Sequence, residues 1–189
     1  MTILMRKHCS FIFSALILSI SSTTNAKELY YGLNFSTLDY KETTSEQMIF
    51  PVFSMQTISG KLGRIWNDNF SAEMRIGFEL NDDEKIVSVN GMLVPIQLGL
   101  KNFYGAYVKI GEQVNSNIYP YTILGYTRVK AKVKALGIED TNAESDSSFG
   151  MGIDFDLKET LKLNIEYMNY LDKNTAALSG FSIGLISNF

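Results

Sequence analysis

The chain ends on a strand. Its last eleven residues, Ser179-Gly180-Phe181-Ser182-Ile183-Gly184-Leu185-Ile186-Ser187-Asn188-Phe189, alternate bulky apolar side chains with small or polar ones and stop on an aromatic. Side chains on a strand point to opposite faces with a period of two. Phe181, Ile183, Leu185 and Phe189 therefore share one face, and Ser182, Gly184 and Asn188 share the other, with Ile186 the exception. Such a strand needs a partner along both edges, and the simplest sheet that supplies both is one closed on itself, last strand against first.

The upstream sequence supports closure. A first strand is expected at 28–38, where Leu29, Tyr31, Leu33 and Phe35 alternate with Tyr30, Gly32, Asn34 and Ser36. Asp39 to Gln47 reads as a polar loop, and Pro51, which cannot donate to a ladder, opens a second strand at 52–66. Asn67-Asp68-Asn69 has the composition of a tight turn. The third strand, 70–80, sets Ala72, Met74, Ile76, Phe78 and Leu80 against Ser71, Glu73, Arg75, Gly77 and Glu79. A polar connection follows from Asn81 into the mid-90s, and Pro95 argues against an uninterrupted central strand there.

Further strands are expected at 98–112, 118–134, 147–157 and 160–171, with tight turns at Asn115-Ser116-Asn117 and Lys158-Glu159. Polar loops are expected at 135–146 and 172–178. The fourth strand puts Tyr107 and Lys109 opposite Tyr104, Val108 and Ile110. The fifth puts Arg128, Lys130 and Lys132 opposite Tyr121, Ile123 and Val129. The sixth puts Asp154 and Asp156 opposite Phe149, Met151 and Ile153, and the seventh puts Lys162 and Glu166 opposite Leu161, Leu163 and Ile165. Short turns follow strands two, four and six, and longer connections follow the others. In an up-and-down barrel this collects the short turns at one rim and the long connections at the other. The expected fold is all-β: an eight-stranded antiparallel up-and-down transmembrane β-barrel.

The start of the chain bears on where such a barrel resides. Arg6, Lys7 and His8 precede an apolar run from Phe11 to Ile20, and Thr24-Asn25-Ala26 offers small residues before a cleavage point. Residues 1–26 are read as a secretory signal and 27–189 as the barrel domain. The competing membrane-anchor reading fails on length, because a spanning helix needs about 20 apolar residues. Cleavage would remove Cys9 and His8, the sole cysteine and histidine, and with Arg6 and Lys7 it would take the formal charge from −3 to −5. Disulfides, thiolate chemistry and histidine-based zinc or base catalysis then drop out. After Ala26 no apolar stretch approaches helical spanning length, so a membrane could be crossed only by strands.

A soluble eight-stranded binder or a secreted sandwich would also alternate, with apolar side chains inward. Here the second face carries Glu73, Arg75, Glu79, Lys109, Arg128, Lys130, Asp154, Asp156, Lys162 and Glu166, interleaved with glycine and serine. Five are acidic and five basic, a set that can neutralise itself in a narrow lumen. The large aromatic face is then assigned to lipid, and Trp66, Tyr31, Tyr104, Tyr121 and Tyr167 to the interfacial girdles. For Arg128 and Lys130 the lumen is the preferred placement. For Lys132 and Lys134 lumen and lipopolysaccharide phosphate remain open alternatives.

With Pro120-Tyr121, Leu124-Gly125-Tyr126, Phe149-Gly150-Met151-Gly152 and the ending on Phe189 in view, residues 27–189 resemble the small outer-membrane β-barrels of Gram-negative bacteria. That group includes the barrels of outer-membrane proteins A and X, a porin-like β-barrel class. The resemblance implies residence in the outer membrane among its lipids, lipopolysaccharide included. It also implies that the barrel-assembly machinery reads Phe181, Ile183, Leu185 and Phe189. Enzymes of this group use histidine, which the expected mature chain lacks. Asp82-Asp83-Glu84 and the Glu139, Asp140, Glu144, Asp146 group match no calcium-loop spacing, and no nucleic-acid signature is present.

The expectation is a non-enzymatic monomer with a filled polar lumen and no cofactor, structural or acting through its surface. The alternatives are a narrow channel for small or apolar solutes, as in barrels like outer-membrane protein W, and a soluble periplasmic ligand binder. Ser187 departs from the family pattern, which favours an aromatic or apolar residue there. Ser187→Tyr should therefore assemble as well as or better than the parent, read as heat-modifiable gel mobility of membrane fractions; worse assembly would mean its outward face is misassigned.

Overall fold

The computed structural model describes residues 28–42, 51–89, 92–173 and 176–188. The expected signal at 1–26 and the terminal Phe189 lie outside the described residues. The strands are β1 (Glu28–Glu42), β2 (Phe53–Asn67), β3 (Phe70–Asn81), β4 (Asp83–Val89), β5 (Met92–Gly111), β6 (Ile118–Ala135), β7 (Ile138–Lys158), β8 (Leu161–Lys173) and β9 (Ala176–Asn188). All pairings are antiparallel. The expected seam forms, β9 pairing with β1 from Tyr30↔Asn188 to Glu42↔Ala176. On the far side β3 pairs with β5, which joins the sheet order into a ring.

Nine segments occupy eight positions. Phe70–Phe78 lie along Ile110–Asn102, and Asp83–Val89 continue the same line along Leu98–Met92. β3 and β4 are thus one strand position broken near Asp82, opposite a bulge in β5 between Leu100 and Asn102. Glu79 fills the break. Its carboxylate accepts the Leu100 N–H at 2.9 Å and pairs with Lys132 at 2.8 Å. The structure is an eight-stranded up-and-down β-barrel.

The expected long loops are largely strand. Asp39–Glu42 belong to β1, and residues 83–89 and 92–97 form a hairpin. The 135–146 segment is a second hairpin, turning at Leu136 and Gly137 with φ of 51° and 81°. Two successive positive φ values are the signature of the type I′ connection that matches strand twist. Pro95 lies within β5 opposite Ile86, beyond the last β5–β6 pair at Ile96↔Ala135, where one side of the strand has no ladder partner among the described residues. Its reading as a strand breaker is corrected on that ground. β7 has 21 residues, a length of about 70 Å, whereas a tilted spanning strand takes about 9–11 residues. Roughly half of β7 therefore stands beyond the bilayer, with β4, β5 and β6 beside it.

Polarity inverts along the strands. On β1, Leu29, Tyr31, Leu33 and Phe35 face outward and Asn34 and Ser36 inward; from Leu38 on, the buried side is apolar and the outer side carries Asp39 and Lys41. β2 repeats this, with Thr57, Ser59 and Lys61 buried at membrane depth and Met55 and Phe53 buried above. β9 does so with Ser182 and Leu178, and β8 with Glu166 and Tyr170. The lower storey has the polarity of a membrane barrel and the upper that of a soluble one.

Glycine lets two walls approach at the seam. A Cβ on Gly180 would lie 2.0 Å from the Thr37 carbonyl oxygen and 2.8 Å from Leu38 Cα, backbone atoms that cannot yield. At Gly60 a Cβ would meet nothing within 4 Å. Gly180→Val should abolish the heat-modifiable folded band on unboiled gels while Gly60→Val keeps it; a folded Gly180→Val protein would mean the seam is looser than drawn.

Candidate functional site in the lumen

Below the inversion, inward charged side chains from five strands meet in one polar cluster. Lys61, Glu73, Arg75, Lys109, Asp154 and Glu166 are each 5% exposed or less. Arg75 lies between two carboxylates, pairing with Glu73 and gripping Glu166 with both terminal nitrogens, Nη2 to Oε2 at 2.7 Å. Its guanidinium also sits 4.9 Å from the centre of the Tyr107 ring. Lys109 pairs with Asp154 and lies 3.7 Å from the Tyr121 ring centre. Planar bidentate geometry and aromatic faces are what make a buried cation tolerable.

Neutral side chains tie these pairs together. Tyr30 Oη donates to Glu73 Oε2 at 2.6 Å, and Tyr121 Oη to Glu166 Oε2 at 2.8 Å. Asn164 is the hub. Its Nδ2 donates to Asp154 Oδ1 and Tyr121 Oη, both at 2.7 Å, and its Oδ1 accepts from Lys61 Nζ at 2.8 Å and Asn34 Nδ2 at 2.9 Å. The cluster counts three cations and three carboxylates and is neutral as a unit.

Above it the lumen is apolar. Leu38, Met55, Leu100, Phe103, Ile123 and Met168 are 2% exposed or less and belong to one contiguous core that reaches Val87 and Leu98. Below, a vestibule of about 510 Å³ opens at the short-turn rim, lined by Tyr30, Lys109, Tyr119, Asp154 and Lys162 among others. The arrangement from that rim upward is vestibule, ion cluster, apolar layer.

The sequence-derived residues divide into three groups. Glu73, Arg75, Lys109, Asp154 and Glu166 come together as expected. Asp156 and Lys162 form a separate part-buried pair at 3.1 Å near the rim, and Glu79 serves the strand break with Lys132, far from the cluster. Arg128 and Lys130 are corrected, since both are exposed on the outer wall. Their strand was assigned the wrong face: Tyr121, Ile123, Thr127 and Val129 point inward and Leu124 and Tyr126 outward. Tyr121 is therefore a lumen residue and not part of the girdle. Lys61, Asn164, Asn34 and Tyr30 were missed as members. Lys61 shares its parity with Thr57, Ser59 and Gly63, a run of small or polar residues that marks an inward face.

Outside the membrane, a hydrogen bond to Glu144 holds the Lys173 ammonium above the ordinary lysine range. Burial pushes the Tyr40 phenol up to about 12, and a hydrogen bond to Glu79 holds the Lys132 ammonium above the ordinary lysine range. Among the described residues, no group of histidine, cysteine, aspartate and glutamate side chains could hold a metal ion.

A closed antiparallel ring with an apolar belt, short turns at one rim and a charge-neutral lumen defines an outer-membrane-type barrel. The chain matches the outer membrane protein beta-barrel domain family over residues 11–189 and belongs to that family, whose members reside in the Gram-negative outer membrane. Its fold is similar to that of Neisserial surface protein A at 14% identity, covering 87% of this chain and 99% of that one, with a TM-score of 0.66. It is similar to Ail, the attachment invasion locus protein of Yersinia pestis, at 12% identity, with 86% and 98% covered and a TM-score of 0.60. It is also similar to OprG of Pseudomonas aeruginosa at 14% identity, with 87% and 97% covered and a TM-score of 0.57. No curated protein sequence matches the chain.

Removing one member of a buried ion set strands its partners in a medium that cannot solvate them. Arg75→Met should cost roughly 3–5 kcal/mol, read by urea unfolding in lipid vesicles with Trp66 fluorescence. Arg128→Met, on an exposed position, should stay within about 0.5 kcal/mol. Equal losses would remove the distinction between lumen and wall.

Proposed function

We propose that this protein is a non-enzymatic, monomeric outer-membrane barrel with a filled lumen, serving the envelope structurally or acting at the cell surface through its tall hairpins. The observation that carries this reading is the apolar layer over the ion cluster. An eight-stranded interior is only just wide enough to be filled by side chains, and a dry apolar layer is a barrier to ions. The mature protein in planar bilayers should give no reproducible open level; a stable conductance step would overturn the filled-lumen reading. One observation favours a second reading, a path for small apolar solutes. Above the membrane β2 and β4 meet through side chains, Asp83 accepting the Ser54 N–H at 2.9 Å and Lys85 donating to the Val52 carbonyl, with the apolar layer behind them. Uptake of a small apolar probe into vesicles that depends on the barrel would support it.

The proposed partners are the assembly machinery, through Phe181, Ile183, Leu185 and Phe189, and lipopolysaccharide. Phe181, Ile183 and Leu185 are 66%, 51% and 48% exposed on the outer wall of the closing strand. Lys101, Arg128 and Lys130 are exposed cations just above the apolar belt on the side of the tall hairpins. That side faces outward when short turns face the periplasm. The depth suits phosphates of the outer-leaflet glycolipid. Ail has been solved with the polyanionic heparin analogue sucrose octasulfate; the reading here rests on this chain's own cations. Replacing Arg128 and Lys130 together with alanine should lower the lipopolysaccharide retained on purification several-fold with folding intact, and unchanged retention would remove the lipid-phosphate assignment.

A further inference from the structure

Between the ion cluster and the apolar layer, the inner wall of β2, β1 and β9 is built of small polar side chains. Thr57, Ser36 and Ser182 stand side by side across two ladders. Thr57 is 0% and Ser36 1% exposed. Their side chains start about 5 Å apart as direct cross-strand neighbours, yet among the described residues neither hydroxyl has a hydrogen-bond partner, and neither does Asn34 Oδ1 one row below. Lys61 lies further down the same wall of β2. Its ammonium carries three N–H groups and has one hydrogen-bond acceptor among the described residues, Asn164 Oδ1 at 2.8 Å. Arg75 and Lys109 each touch a carboxylate.

Unpartnered buried hydroxyls and an under-coordinated ammonium are each costly, and a native fold rarely gathers them in one place unless a ligand completes them. We propose that this wall is a buried hydration site, a small cluster of ordered waters that joins Thr57 Oγ1, Ser36 Oγ and Asn34 Oδ1 to the Lys61 ammonium. The ligand is water and not an anion. Lys61, Arg75 and Lys109 already balance Glu73, Asp154 and Glu166, so a further anion would leave the cluster negative. Leu38 and Met55 close the site above, whereas the vestibule opens below Lys109 and Asp154. The waters exchange through the short-turn rim alone, and the lumen is wet on one side of the apolar layer and dry on the other.

Thr57→Val keeps the shape and removes the hydroxyl, which separates a bridged group from an orphan. Bridging waters require Thr57→Val and Ser36→Ala each to lower the urea midpoint in lipid vesicles, with the double variant losing less than the two together because they share waters. A midpoint unchanged or raised in Thr57→Val overturns the proposal. The parent protein supplies a second readout that needs no variant: magnetisation transfer from long-lived water to the Thr57 methyl is expected, and its absence counts against the site. Stabilisation that depends on bromide at constant ionic strength would assign the site to an anion and overturn the assignment to water.

Discussion

Hydrocarbon offers no partner to a peptide group, so every N–H and C=O at membrane depth must be bonded within the chain. The unbroken β1–β9 ladder and the β3–β5 ladder satisfy that demand by making the sheet endless. Where the constraint lapses, the ring relaxes. Above the membrane no backbone ladder joins β2 and β4 among the described residues, and the Asp83 carboxylate and Lys85 ammonium occupy the Ser54 N–H and Val52 C=O that a ladder would have used. Water makes such a gap tolerable there.

Closure fixes the rest of the interior. A ring of eight strands leaves little space, so long side chains on one wall need small ones opposite. Tyr107 lies over Gly105 and Gly125, and Tyr121 over Gly152, where an added Cβ would meet the aromatic side chain. The ion cluster adds less to net stability than its contacts imply, because desolvation offsets much of the Coulomb gain. Its stronger effect is on register. Its charged members come from five strands, and a one-residue slip of any of these would turn a charge toward lipid and an apolar residue into the lumen.

The membrane-depth half of the barrel was legible because lipid and lumen impose opposite polarity on successive residues. Glu73, Arg75, Lys109, Asp154 and Glu166 were placed correctly from parity alone, as was the closing strand. The upper half was not legible, for two reasons. The protruding β6–β7 hairpin, from Lys130↔Ala143 up to Lys134↔Glu139, exposes polar residues heavily, so its composition resembles a loop although its geometry is strand. Above the membrane the inward side becomes the apolar one, and a reading that extends a single phase along the fifth strand assigns Arg128 and Lys130 to the lumen. Tyr121 and Ile123 compounded the error, being apolar enough to pass for lipid-facing while they fill the interior. Asn164 left no trace as the hub, since an asparagine on an inward face looks the same whether it touches one neighbour or four.

The height at which polarity inverts decides what the surface of such a barrel can be. Had the lumen stayed polar to its top, the strands above the bilayer would have had nothing apolar to pack on, and solvated loops would be the stable outcome. Phe53, Met55, Val87, Leu98 and Leu178 instead give the protruding strands a core of their own, stabilised by removal of apolar surface from water in the manner of a soluble β domain. Hairpins anchored in this way lose little further entropy when a partner settles on them. The layer that seals the lumen and the layer that stiffens the surface are the same side chains, so a change that opened a conducting path through Phe103 or Ile123 would also loosen the outer hairpins. In the proposed reading, sealing and surface presentation are therefore coupled through one apolar core.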